Sequence, residues 1–227
     1  NAAGSEAVTF TFNENAPVAP VGATHATIYV YTGHASYNAI VSTYNYEKNF
    51  AQLENFSWQP WKMTVSEYNA FKNGQPLTLQ DKDGNSQGKW LYLSQPVFTT
   101  EELDVFYGNG VTKDTSVVYG NELYSYKVNG NSIIFVSSLL LDAMGSKDEV
   151  TFYVKSNINT TFNYMTYEPW DSNTILNYLP ASGEWTAITL TREQVEALVA
   201  NPFNKFLQAR TWEGGAVFYI SETVVVA

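Results

Sequence analysis

The chain has 227 residues, 44% of them hydrophobic and 15% charged, so it folds around its own core and is no solvated polymer. Its net charge is −10 with only 12 Lys+Arg, too few cations for the clusters that displace counterions from nucleic-acid phosphates or bind anionic membrane surfaces. With no cysteine, thiol catalysis, disulfides and thiolate metal sites are excluded.

The 16 Tyr, 13 Phe and 6 Trp favour pleated, half-buried strands, and Asn, Gly and Ser punctuate the hydrophobic runs where turns need them. In chain order, Val8-Thr9-Phe10 and Thr27-Ile28-Tyr29-Val30 read as strands. Tyr44 and Tyr46 fall in a loop, and Trp58 in another, because Gln59-Pro60 comes directly after it. Trp61 shares the parity of Met63 and Val65 and belongs in the core. A strand ends at Met63-Thr64-Val65, and Ser66 caps a short amphipathic helix over Ser66–Asn73. Leu77 and Leu79 suit the core of the next strand, which turns Gln80 and Lys82 outward. After the turn 83–88 comes Leu91-Tyr92-Leu93-Ser94, then a short turn from Thr99 to Phe106. The stretch Gly108–Thr115 reads as a linker, dividing the chain into modules 1–110 and 111–227.

The second module opens with a strand of roughly Val117 to Lys127, then Ile133-Ile134-Phe135 and a short helix at Ser138–Met144. Thr151-Phe152-Tyr153-Val154 is a strand, and Tyr167-Glu168-Pro169-Trp170-Asp171 is a turn that presents two aromatics. Trp185 is out of phase with Ile188 and Leu190 and reads as structural. Thr191 and Gln194 are spaced as a capping box for a helix over Thr191–Ala200. In the next strand Leu207 and Ala209 point inward, leaving Gln208 and Arg210 outward, with Trp212 at its end.

These segments repeat. Thr27–Val30 matches Thr151–Val154, and Met63-Thr64-Val65 with its helix matches Ile188-Thr189-Leu190 with its own. Leu79-Gln80-Asp81-Lys82 matches Leu207-Gln208-Ala209-Arg210, Leu91–Ser94 matches Phe218–Ser221, and Val8–Phe10 corresponds to Ile133–Phe135. Order and spacing are kept at an offset of about 125 residues, so the expected fold is all-β: two tandem jelly-roll β-sandwich modules with short helical turns. Only the opening strand of the second module has no counterpart, and the first copy is accordingly shortened.

Chemistry is sparse. Two histidines, His25 and His34, cannot build a His-rich metal site, and neither lies in a nucleophile arrangement. Asp81-Lys82-Asp83-Gly84-Asn85 lacks the Gly position and closing Glu of a calcium loop and reads as a hairpin turn. No cofactor is expected, with room only for structural calcium on backbone carbonyls. Glu168, Glu184 and Glu213 would be the carboxylates of a glycosidase, but two modules of this size leave little chain for a deep catalytic cleft.

Gly183-Glu184-Trp185-Thr186-Ala187-Ile188-Thr189-Leu190, its Thr-capped helix, Leu207–Arg210 and Val217–Ser221 together resemble galactose-binding-like jelly rolls. Val118–Glu122, Ile133–Val136 and Gly145–Phe152 fit the first strands of the same plan. In particular the chain resembles the carbohydrate-binding modules of bacterial polysaccharide-utilisation surface lipoproteins. The resemblance implies a two-sheet sandwich, glycan binding through aromatics on a concave face or apical loops, and surface display. Copy one departs from it, with no Trp at the positions of Trp170 or Trp212.

The expected function is non-catalytic binding of a neutral or weakly charged polysaccharide. The expected ligand-binding residues are Trp170, Trp212, Gln208, Arg210, Tyr167, Trp58, Tyr46, Gln80 and Lys82, with copy two dominant. A structural or adhesive surface protein is the alternative, and a glycosidase or lyase the third reading. No run approaches the roughly 20 apolar residues of a membrane span. A chain opening at Asn1 without a charged-then-apolar leader is expected to be exported, processed and monomeric, touching a membrane only through a removed lipid anchor.

Overall fold

The computed structural model describes residues 7–12, 14–32, 37–40, 47–50, 57–75, 77–81, 91–108, 110–166, 172–202, 204–211 and 214–227. The chain divides into two compact units, Asn1–Glu102 and Leu103–Ala227. Both are mostly β, built from antiparallel sheets.

Unit 1 contains β1 (Ala7–Phe10), β2 (His25–Thr32), β3 (Tyr37–Ile40), β4 (Glu47–Phe50) and β5 (Trp58–Thr64). Then come α1 (Val65–Lys72), β6 (Leu77–Asp81), β7 (Leu91–Leu93) and β8 (Val97–Thr99). One sheet runs β1-β6-β3-β4; the other runs β5-β2-β7, with β8 also on β2. Strict alternation builds β5, where Gln59, Trp61 and Met63 are buried while Trp58, Pro60 and Lys62 are exposed. Trp61 packs edge-on against Phe71 of α1, with ring centroids 5.3 Å apart, as its parity predicts.

Unit 2 contains β9 (Phe106–Tyr107), β10 (Val111–Asp114), β11 (Ser125–Asn129), β12 (Phe135–Val136), α2 (Ser138–Met144), β13 (Glu149–Ser156) and β14 (Thr160–Thr166). It continues with β15 (Ser172–Leu179), β16 (Thr186–Thr191), α3 (Arg192–Ala200), β17 (Lys205–Arg210), β18 (Val217–Ser221) and β19 (Val225–Val226). The larger sheet is β10-β11-β18-β13-β16, with β19 on β13, and the smaller is β15-β14-β17. β12 pairs with β9, and a bridge joins Ile134 to Leu207 of β17.

One core fills unit 2. Val150, Phe152 and Val154 of β13, Ile188 and Leu190 of β16, and Phe218 and Ile220 of β18 meet Phe162, Leu207 and Ala209 from the other sheet. Each large apolar side chain buried this way stabilises the fold by about 1.5–3 kcal/mol. Leu140, Met144, Val195 and Leu198 of α2 and α3 close the core.

The pairing order around β2 recurs around β13. β2 lies between β5 and β7, with β8 pairing β2 farther along from β7, as β13 lies between β16 and β18, with β19 pairing β13 farther along from β18. His25 of β2 faces Thr64 and Glu149 of β13 faces Thr191, and each threonine caps a helix through a reciprocal capping box. In unit 1 Thr64 Oγ1 accepts from the Glu67 N–H at 3.2 Å and Glu67 Oε2 accepts from the Thr64 N–H at 2.6 Å. In unit 2 the corresponding bonds join Thr191 and Gln194 at 3.3 and 2.9 Å. The cap of α1 is therefore Thr64 and not Ser66, which lies in the first turn.

Three further expectations shift. With the caps superimposed, Met63 corresponds to Leu190 rather than Ile188. A slip of two residues leaves every strand side chain on its own face, so alternation alone could not detect it. The units divide between Glu102 and Leu103, upstream of Gly108–Thr115, because Phe106 is fully buried in the core of unit 2. Gly108 is held with φ +151°, and a Cβ there would lie 2.3 Å from the Ile133 carbonyl oxygen, so this glycine serves a close contact and not a linker. Of the strand expected at roughly Val117 to Lys127 only Ser125–Lys127 is strand, the start of β11; the rest belongs to the loop that separates β11 from β10. Asp114 starts that loop by accepting from the Ser116 N–H at 2.7 Å and the Val117 N–H at 3.3 Å.

Candidate functional site

Alternation on β2 turns Ile28 and Val30 inward and sends Tyr29 and Tyr31 to the outer face of the sheet β5-β2-β7. Tyr31 lies directly opposite Trp58 on β5 and Tyr92 on β7. The three rings form a row across the strands, with centroids 5.3 Å apart for Tyr31–Trp58 and 6.4 Å for Tyr31–Tyr92. The rings are tilted by 51° and 45° to one another. Trp58 is 51% exposed, Tyr92 60% and Tyr29 36%. Tyr29, one rung along, faces Pro60.

Farther along the same face the aromatic surface gives way to charge. Lys62 forms an ion pair with Glu101, and His25 lies opposite Thr64 at the end of the sheet. The Lys62 ammonium, and after it the Thr99 hydroxyl, pulls the Glu101 carboxyl below its ordinary range. Burial, aided by Lys62 and opposed by Glu101, pulls His25 down. The face thus offers aromatic rings at one end and hydrogen-bonding charges at the other.

On unit 2 the matching face is covered. The Tyr153 N–H donates to Ser221 Oγ at 3.0 Å, as the Tyr29 N–H donates to Ser94 Oγ at 2.9 Å, so Tyr153 takes the place of Tyr29. Trp185 precedes the capping threonine by the same distance as Trp58 does. The loop between β10 and β11 lays Tyr119 flat on Tyr153, with centroids 4.1 Å apart and planes 13° apart, and edge-on to Trp185 at 5.5 Å. Glu122 anchors the loop by accepting from the Glu222 and Thr223 N–H groups at 2.9 and 2.8 Å. Trp185 is accordingly half-buried, as a structural role predicts.

Of the sequence-predicted residues, Trp58 is the exposed aromatic among those described, placed at the start of β5 and not in a loop. Pro60 is tolerated in this strand because β5 ends its sheet among the described residues. Gln208 and Arg210 alternate with buried Leu207 and Ala209 and are half-buried. The Gln208 amide donates to the Asn131 carbonyl at 2.7 Å, so it ties a loop to β17. Asn131, in the left-handed region at φ 60°, accepts through Oδ1 from the Thr211 N–H at 2.9 Å. Beside these groups lies a cleft of about 450 Å³ lined by Asn129, Gly130, Asn131, Thr211 and the segment 214–217. Gln80 lies on β6 opposite Ala7 and Asn38, its backbone alone being described. Tyr46, Lys82, Tyr167, Trp170 and Trp212 lie outside the described residues, as do Tyr44, Glu168 and Glu213.

Sequence reasoning missed Tyr29, Tyr31 and Tyr92. The signal was present as Tyr-x-Tyr in phase opposite to Ile28 and Val30, and as the equal spacing of Trp58 and Trp185 from their threonine caps. Among the described residues no group of three or more His, Asp or Glu side chains could hold a metal, and no helix is long and apolar enough to cross a membrane. Glu184 is exposed in the loop before β16. Asp114, like Glu101, has its carboxyl pulled down, first by the Ser116 hydroxyl.

No family model and no curated protein matches the chain. Among solved structures it is similar to the M60 catalytic domain with the CBM51-1 and CBM51-2 domains of ZmpB from Clostridium perfringens, with 9% identity and a TM-score of 0.26. The match covers 97% of this chain and 33% of that one, so the chain spans about a third of that structure's length. At that identity and score the likeness carries no weight for fold or function.

Proposed function

We propose that the chain is a pair of tandem jelly-roll β-sandwiches that binds a neutral or weakly charged polysaccharide at a cell surface without cleaving it. The tandem reading is supported by the recurring strand order, the paired capping boxes and the paired Tyr-to-Ser bonds. The binding reading is carried by one observation, the row Trp58–Tyr31–Tyr92 with Tyr29 beside it on an outer sheet face. Rigid, exposed aromatics grouped on one face mark a contact surface, since scattered they would need no explanation. Their apolar ring faces suit the C–H faces of pyranoses, and the Lys62, Glu101 and His25 groups beyond them suit hydroxyls.

A glycan array probed with the full chain tests the proposal. Retention of neutral oligosaccharides with no new reducing ends is expected. Release of new ends would make the protein a glycosidase or lyase. A blank array, with the aromatic face instead protected by a protein, would favour the adhesive alternative, for which the same apolar patch is equally suited.

A further inference from the structure

The row Trp58–Tyr31–Tyr92 of unit 1 has a counterpart in unit 2 that differs at its centre. The Tyr-to-Ser bonds place Tyr153 where Tyr29 stands, so Lys155 takes the place of Tyr31 and its rung partner Tyr219 that of Tyr92. Trp185 precedes Thr186, which pairs with Val154, and so falls beside Lys155 on the other flank. An all-aromatic row thus becomes aromatic, cation, aromatic.

The cover laid by Tyr119 stops one rung short of this row. Its ring lies flat on Tyr153 and meets Trp185 edge-on, while Lys155 and Tyr219 stay partly exposed. The lysine is held by its stem. Gly183, at φ +73°, lies so close that a Cβ there would come 3.3 Å from Lys155 Cε. The ammonium is not taken up in the same way. Glu101, Asp104 and Asp114 pair with Lys62, Lys113 and Lys127, whereas Lys155 has no ion pair or hydrogen bond among the described residues. In a chain with 22 Asp+Glu against 12 Lys+Arg, a packed lysine left without a carboxylate is available for one from outside.

We propose that Lys155 and Tyr219 form a second saccharide site, one that takes an acidic sugar. The pyranose ring lies on Tyr219, its carboxylate meets the Lys155 ammonium, and Trp185 walls the far side. The inference rests on the glycan-binding reading for the class of ligand and departs from it in the charge. A uronic acid combines the apolar ring face and the single anion that this row matches. Nucleic acids and anionic membranes present dense charge instead, which one cation on a chain of net charge −10 does not offset.

The test is calorimetry of the full chain against a panel of uronic-acid oligosaccharides and their carboxyl-reduced counterparts. Lys155→Met, which keeps the stem and deletes the charge, is compared with Lys155→Arg and with Trp58→Ala. At least one acidic oligosaccharide should bind roughly fivefold or more tightly than its carboxyl-reduced counterpart, with the advantage shrinking as salt is raised. Lys155→Met should abolish that advantage, Lys155→Arg should keep it, and Trp58→Ala should leave it unchanged. No acidic oligosaccharide bound, no preference over the carboxyl-reduced form, or a preference that survives Lys155→Met would overturn the proposal. Loss of the preference in Trp58→Ala would overturn it by placing the acidic sugar on unit 1. Displacement of the sugar by single-stranded DNA at equal charge concentration would overturn it in favour of general polyanion binding. The neutral-glycan reading is judged separately, by binding of the carboxyl-reduced oligosaccharides and its loss in Trp58→Ala.

Discussion

Trp58 shows how one residue can be misread from its neighbours. Gln59-Pro60 after it signals a loop, because proline removes a ladder donor, but an edge strand has a side where no donor is needed. Its indole therefore joins a cross-strand row with Tyr31 and Tyr92 instead of folding back on a loop. Tyr119 illustrates the reverse case, an aromatic residue from a loop that covers the corresponding face of unit 2. Tyr119→Ala should expose Trp185 and shift the indole emission to longer wavelength with little loss of stability; an unchanged spectrum would show that the loop does not shield it. The capping threonines can be tested as a pair. Thr64→Ala and Thr191→Ala should each cost about 1 kcal/mol, within a range of about 0.5–2, in thermal unfolding. An effect at Ser66→Ala as large as at Thr64→Ala would contradict the capping box observed in α1.

At the scale of elements, β2, β13, β17 and β18 were legible from alternation and α3 from its capping box, because these are local signals, whereas β3 and β14, inner strands of their own sheets, were not read. Nor was the opening of unit 2. Asp114, Ser116 and Val117 form a side-chain turn that interrupts a run of strand-forming residues, and Phe106 is claimed by a core built from residues far along the chain. Gly108→Ala should confirm that this stretch is structural, costing roughly 1–3 kcal/mol in unit 2, since the left-handed backbone and the Ile133 carbonyl both oppose a Cβ. A linker glycine would tolerate the change.

The elements also differ in their response to pH. His25 and Glu101 are both pulled below their ordinary values of 6.5 and 4.5. Their contribution to unit 1 is complete above those values and is lost as pH falls, first through His25 and then through Glu101. Tyr126 is pushed up, chiefly by burial, so its contribution to unit 2 is complete below 10 and is lost as pH rises past it. Calorimetric scans should show unit 1 weakening in acid through His25, and Tyr126→Phe should flatten the alkaline limb of unit 2. A unit 1 indifferent to acid, or an alkaline limb unchanged by Tyr126→Phe, would contradict these assignments.

At the scale of the whole molecule, the mostly β character was legible in the sequence, and the strand pairing around β2 and β13 follows the order in which the matching segments occur. The exact register was not, because a two-residue slip preserves every inward and outward position. The expected weight on unit 2 rested on Trp170 and Trp212, which lie outside the described residues, and on a Gln-x-Arg pair whose glutamine proves to fasten Asn131. The described aromatic surface lies on unit 1, where no loop equivalent to 115–124 covers the sheet among the described residues. Titration calorimetry with an array-identified neutral oligosaccharide tests this most directly, comparing the parent chain with Trp58→Ala and Tyr92→Ala. Each substitution should weaken binding by roughly tenfold or more, about 1.4 kcal/mol, while the thermal melt stays within about 0.5 kcal/mol of the parent. Parental affinity in both variants would contradict the placement of the glycan site on the Trp58–Tyr31–Tyr92 face.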